Sequence, residues 1–143
     1  MKQQTAGETG LTRDTGWQIG VRRTLPVPVN KLWDFMVSSR GVNIWLGEGP
    51  DFPFIAGEKY SLADGTTGMI RVLQPESHWR ITRDPPDPGY QRPSLIQIRT
   101  ISSGDKSVLV FHEEHLPSGE ERERRKTYYL KVLEMIRQEL GLV

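Results

Sequence analysis

The chain has no cysteine, and that one absence excludes disulfides, thiolate nucleophiles, thiolate zinc sites and iron–sulfur clusters. It has no long apolar run either. Nothing approaches the roughly 20 residues of a membrane helix, and the polar opening stretch lacks the apolar core of a signal peptide. Neither sign of charge prevails, with 19 lysines and arginines interspersed among 18 acidic residues, so no bulk field gathers nucleic acid or an anionic membrane surface. Histidine is confined to His78, His112 and His115, which leaves few bases for a serine triad, and no Gly-x-Ser-x-Gly elbow is present. Gly47-Glu48-Gly49 is not followed by the glycine, lysine and hydroxyl residue of a phosphate loop. These absences lead to the expectation of a cytoplasmic protein with no cofactor and no metal, without nucleic acid or membrane as partner, and monomeric or weakly homodimeric.

What is present suits one soluble domain. The 143 residues are 36% hydrophobic and 26% charged, which is enough for a single core. Residues 1–15 carry too little apolar surface to offset the entropy of ordering and read as a disordered tail, leaving 16–143 as the domain. Trp17, Ile19 and Val21 alternate with Gln18, Gly20 and Arg22, the period-two pattern of a half-buried strand. Pro26 and Pro28 end it, and Pro28 suits the first helical position, where the missing N–H would have been unpaired anyway. The spacing of Val29, Leu32, Trp33 and Met36 predicts a short amphipathic helix. Val42, Trp45 and Leu46 predict a second, stopped by Gly47 and Gly49.

From Gly57 the signals become short strands separated by turns: 58–62, 67–74, 77–83, 94–101 and 107–115. Trp79, Ile81 and Arg83 share one face of the third of these. Asp84 to Gly89 holds three prolines and can only be a loop. Ser118 and Glu121 then form a capping box, the Ser118 hydroxyl taking the Glu121 amide and the Glu121 side chain reaching back. Tyr129, Leu133, Ile136 and Leu140 make an apolar stripe, widened by Leu130 and Val132, on a helix about 34 Å long. Glu120 with Arg124 and Glu121 with Arg125 are expected i,i+4 pairs. The Arg122, Arg124, Arg125 and Lys126 cluster accordingly reads as paired surface charge. The order implies an α+β fold in which a curved antiparallel sheet wraps around the long C-terminal helix, with two short helices after the first strand. A cavity between sheet and helix is the natural consequence.

The Pro26 to Trp45 stretch, with Leu32-Trp33 before Phe35 and a second Trp before Leu46-Gly47, resembles the family related to the activator of heat-shock protein 90 ATPase. So do Trp79-Arg80-Ile81-Thr82 with its proline-rich loop, Ser94-Leu95-Ile96-Gln97, and Val110 to Leu116. The resemblance covers nearly everything after Trp17. It implies the helix-grip fold of the START and pollen-allergen superfamily, whose members often hold small apolar molecules under the long helix. It also implies a chaperone as a possible partner in a stress response.

Three functional readings follow. In the first, a small apolar or amphipathic ligand sits between the sheet and the final helix. Its candidate lining is Trp33, Trp45, Trp79, Ile81 and Ile98, together with Phe111, Tyr129, Leu133 and Ile136. Arg83, Arg99 and His112 are candidate polar anchors if they point inward, since a cation in an apolar cavity needs a carboxylate from the protein or a ligand. In the second, the domain is a protein-interaction module that activates a chaperone ATPase. In the third, it is a cyclase- or hydrolase-like enzyme using His112, Arg83 or Glu113, although the sequence contains no recognised catalytic motif. His112 and His115 are three apart and, on a strand, point to opposite faces, so they do not chelate one ion.

Overall fold

The computed structural model describes residues 10–12 and 16–142. Seven strands and three helices follow in the order β1 Leu11–Thr12, β2 Gly16–Leu25, α1 Val29–Met36, α2 Ser39–Trp45, β3 Lys59–Ser61, β4 Thr67–Gln74, β5 His78–Arg83, β6 Ser94–Ser103, β7 Lys106–Leu116 and α3 Gly119–Glu139. The strands form one antiparallel sheet ordered β1-β2-β7-β6-β5-β4-β3. Short turns join β3 to β4, β4 to β5 and β6 to β7, and the proline-rich loop returns β5 to β6, whereas the pairing of β2 with β7 brings two segments distant in sequence together. Most of the expected tail lies outside the described residues. Leu11 and Thr12, however, pair with Trp17 and Gly16, so ordered structure starts before residue 16.

Period-two alternation sets which face is covered. Ile19, Glu113, Ile96 and Ile81 occupy one cross-strand row, and Val21, Phe111, Ile98 and Trp79 the next. These rows face α3, which packs on β2, β7 and α2. The helix buries Arg125, Tyr129, Val132, Leu133 and Ile136. Leu130, expected in the stripe, is 42% exposed instead, because it sits a quarter-turn from Tyr129 on the solvent side. Pro28 serves as the N-cap of α1 rather than its first residue.

Local devices hold this frame. The Ser118 hydroxyl accepts from the Glu121 amide at 3.1 Å as expected, but the Glu121 carboxylate takes Arg124 and Tyr90 instead of reaching back. The buried Ser107 hydroxyl donates to the Val27 carbonyl at 2.8 Å and ties β7 to the entry of α1. Ser107→Ala leaves that carbonyl unpaired and should cost about 1–2 kcal/mol in urea denaturation. An unchanged midpoint would show that the bond contributes nothing.

Candidate functional site

One charged cluster is buried between the sheet and α3. Glu113, inward on β7 in the same parity as Leu109 and Phe111, is fully buried. Its carboxylate accepts from four donors. Arg125 Nε at 2.8 Å and the Tyr129 hydroxyl at 2.6 Å bind Oε1; Arg83 Nη1 at 3.2 Å and the Ser94 hydroxyl at 2.5 Å bind Oε2. Arg125 and Tyr129 are one turn apart on α3, so both descend onto the same carboxylate. Arg125 also donates to the Tyr129 oxygen at 3.1 Å and lies over the Tyr128 ring at 4.3 Å.

The cluster continues outward through the proline-rich loop. Arg83 Nη1 donates to the Tyr90 hydroxyl at 3.1 Å, and that hydroxyl donates to Glu121 at 2.5 Å. Arg83 engages only Nη1; its Nε and Nη2 carry no partner among the described residues. Its side chain keeps 14% exposure. Two guanidiniums therefore share one buried carboxylate, leaving positive charge in excess at this end of the core.

Electrostatics fixes the protonation states. Burial alone would raise the Glu113 carboxyl, but Arg125 and then Arg83, with hydrogen bonds from Ser94 and Tyr129, hold it below the usual range. Burial, followed by the neighbouring Glu113 carboxylate, pushes the Tyr129 hydroxyl well up, so it stays a donor. Burial similarly raises Tyr60 and Tyr90. With both oxygens occupied, Glu113 is an anion held in place, with no lone pair directed at a substrate proton.

The other end of the interior is aromatic. Trp79 meets Trp45 edge-on with ring centroids 5.2 Å apart and lies 5.8 Å from Phe52 and 6.0 Å from Phe54. Phe111 stacks on Tyr129 at 4.9 Å. Trp45 Nε1 donates to the Met36 carbonyl at 3.3 Å. The Trp79 Nε1–H, by contrast, is buried without a partner among the described residues, a condition that costs about 1–3 kcal/mol.

All nine expected lining residues are buried in one core. Their side chains pack together between sheet and helix, and a concavity of about 720 Å³ lies at the β3–β4 edge. Pro50, Asp51, Tyr60, Met69, Thr82 and Asp84 are among its walls. Of the expected anchors, Arg83 points inward, while Arg99 and His112 do not. Arg99 alternates with buried Ile98 and Thr100, and His112 alternates with buried Phe111 and Glu113 and meets Gln18 at 2.7 Å. Strand parity forces this: once Ile98 and Phe111 face the core, their neighbours cannot. Arg125 was read as a surface charge paired with Glu121; it is buried and paired with Glu113 instead. Its position four residues before Tyr129, on the same stripe, was the available signal.

No family model matches the chain, and no curated protein matches its sequence. Solved structures do. A Mesorhizobium loti protein is 17% identical with a TM-score of 0.75, the match covering 87% of this chain and 96% of that one. CalU16 from Micromonospora echinospora is 18% identical with a TM-score of 0.72, over 83% of this chain and 71% of that one. An HSP90 activator from Plasmodium falciparum is 18% identical with a TM-score of 0.71, over 87% and 96%. The chain shares its fold, an antiparallel sheet gripping a long C-terminal helix, with these solved structures, one of which is an HSP90 activator.

Proposed function

We propose that the protein binds one small amphipathic molecule between the sheet and α3, with its anionic end at Arg83 and its apolar body along β5. The observation that carries this reading is the inward row of β5. Trp79, Ile81 and Arg83 run from a buried indole to a half-engaged guanidinium over roughly 13 Å of strand. A ligand carboxylate would take the Nε and Nη2 donors and balance the surplus charge, and a bidentate contact of that kind adds orientation as well as affinity. Burial of the apolar body would drive binding at about 25 cal/mol per Å², less ordering costs.

Native mass spectrometry of gently purified protein, before and after organic extraction, tests the reading. The expected result is a reproducible extra mass that extraction removes, belonging to a molecule with one acidic group. A clean protein mass in both samples, with no uptake of acidic amphiphiles added back, would refute it.

A second reading, activation of a chaperone ATPase, is favoured by the likeness to the Plasmodium activator, which spans 96% of that chain. It requires a protein-binding surface instead of an internal site. A pull-down with the middle segment of the chaperone tests it, and no binding at tens of micromolar would remove it.

A further inference from the structure

We infer that the Trp79 indole N–H is the anchor for the far end of the ligand and that Phe52 is an internal plug standing in its place, which defines the ligand class: a flat aromatic acid with an acceptor oxygen opposite its carboxylate. The inference rests on the ligand reading above and extends it from Arg83 to the other end of β5.

Three observations converge. First, Trp79 is fully buried, yet its Nε1–H has no partner among the described residues; the neighbouring Trp45 indole is satisfied by Met36. A donor held in the core without an acceptor is a site for one. Second, the rings of Trp45, Phe52 and Phe54 pack around the Trp79 indole with centroids 5.2 to 6.0 Å away, surroundings that suit an aromatic ring in place of one of them. Third, Phe52 packs on Tyr60 at 5.1 Å and on Trp79 at 5.8 Å, and Tyr60 lines the 720 Å³ concavity together with Pro50 and Asp51. Phe52 therefore stands between the indole and the groove wall formed by Tyr60.

The segment that carries Phe52 is an irregular loop flanked by glycines. It runs between Gly47 and Gly57, both at positive φ, and holds no helix or strand. Ile55 at its tip is 61% exposed. Rotation about these glycines would withdraw Phe52 from the indole and open space beside it.

The test uses a matched pair of probes, 6-acetyl-2-naphthoate and 6-isopropenyl-2-naphthoate, which differ only in the acceptor oxygen. They are titrated into ¹⁵N-labelled protein, with Trp79→Phe and Phe52→Ala alongside. The expected result is that wild type binds the ketone about tenfold more tightly than the alkene, as one hydrogen bond is worth, with the Trp79 indole N–H proton moving further downfield for the ketone than for the alkene. Trp79→Phe should bring the ratio of the two affinities to about one, and Phe52→Ala should tighten both. Equal affinity of wild type for the two probes, or a preference that survives in Trp79→Phe, would overturn the anchor yet leave the ligand reading standing. Binding of neither probe by wild type or Phe52→Ala at millimolar concentration would overturn this inference; an extractable mass on the purified protein would still support the broader reading.

Discussion

Glu113→Gln should lower folding stability by about 3–5 kcal/mol, because it leaves Arg83 and Arg125 buried around a neutral group that can no longer balance them. The amide keeps the volume of the side chain, so a cavity is not the cause. It also presents an N–H₂ where Glu113 now receives Ser94 and Arg83, or Tyr129 and Arg125, which sets donors against donors on one side. The pH dependence identifies the mechanism. The folded carboxyl titrates below its ordinary value, so its stabilisation is complete above the unfolded value of about 4.3 and is lost as pH falls through the lower folded one. Wild type should therefore lose stability below about pH 4, and Glu113→Gln should lose much less over the same interval. Chemical denaturation at a series of pH values measures both. If the variant is within about 0.5 kcal/mol of wild type at neutral pH, the cluster is not holding α3 on the sheet.

Gly68→Ala should be the next most damaging change, at about 1–3 kcal/mol, with the larger figure expected. A Cβ at this position would lie 2.1 Å from the Thr82 carbonyl oxygen and 2.5 Å from the Tyr60 ring. The first obstacle is backbone and cannot rotate away. The second is anchored, since the Tyr60 hydroxyl donates to that same carbonyl at 2.5 Å across the glycine. The methyl must push β5 from β4 or expel Tyr60 from the core, and either opens the sheet where it borders the concavity. Thermal unfolding reads the loss. A midpoint unchanged by the substitution would show that the β4–β5 spacing is soft. Gly104→Ala is a useful comparison, because no atom lies within 4 Å of its Cβ position but its φ of +67° is unfavourable for alanine; that change reports backbone strain alone.

The architecture was legible because two periodicities carry it. Alternation on the strands and the 129, 133, 136 spacing on α3 place most of the buried apolar residues, and connections too short for a crossover leave only antiparallel pairing for β3 to β7. The pairing of β2 with β7 was not legible from pattern, since it joins segments about ninety residues apart and only tertiary packing selects it. The site was read in part. Trp79, Ile81 and Arg83 share an inward face as expected. Glu113 and Arg125 were obscured because charged residues are ordinarily solvated, and the reading of Arg125 followed its acidic neighbours in sequence rather than its place on the buried stripe. His112 went the other way: it looked chemically apt, and the parity of Phe111 already turned it outward. The orphan Trp79 N–H has no sequence signal at all, because an unmade hydrogen bond depends on what three separate segments bring together.

The claim on which the account stands is that the β5 row from Trp79 to Arg83 receives an acidic amphiphile. Isothermal titration of 6-acetyl-2-naphthoate into wild type and Arg83→Met tests it most directly. The variant should fold, because Glu113 keeps Arg125, Ser94 and Tyr129. The account predicts one site in wild type with a negative heat-capacity change, the mark of apolar burial, and affinity at least about tenfold weaker in Arg83→Met. Equal affinity in the two proteins, or no binding by wild type of this or any other acidic amphiphile offered, would contradict it.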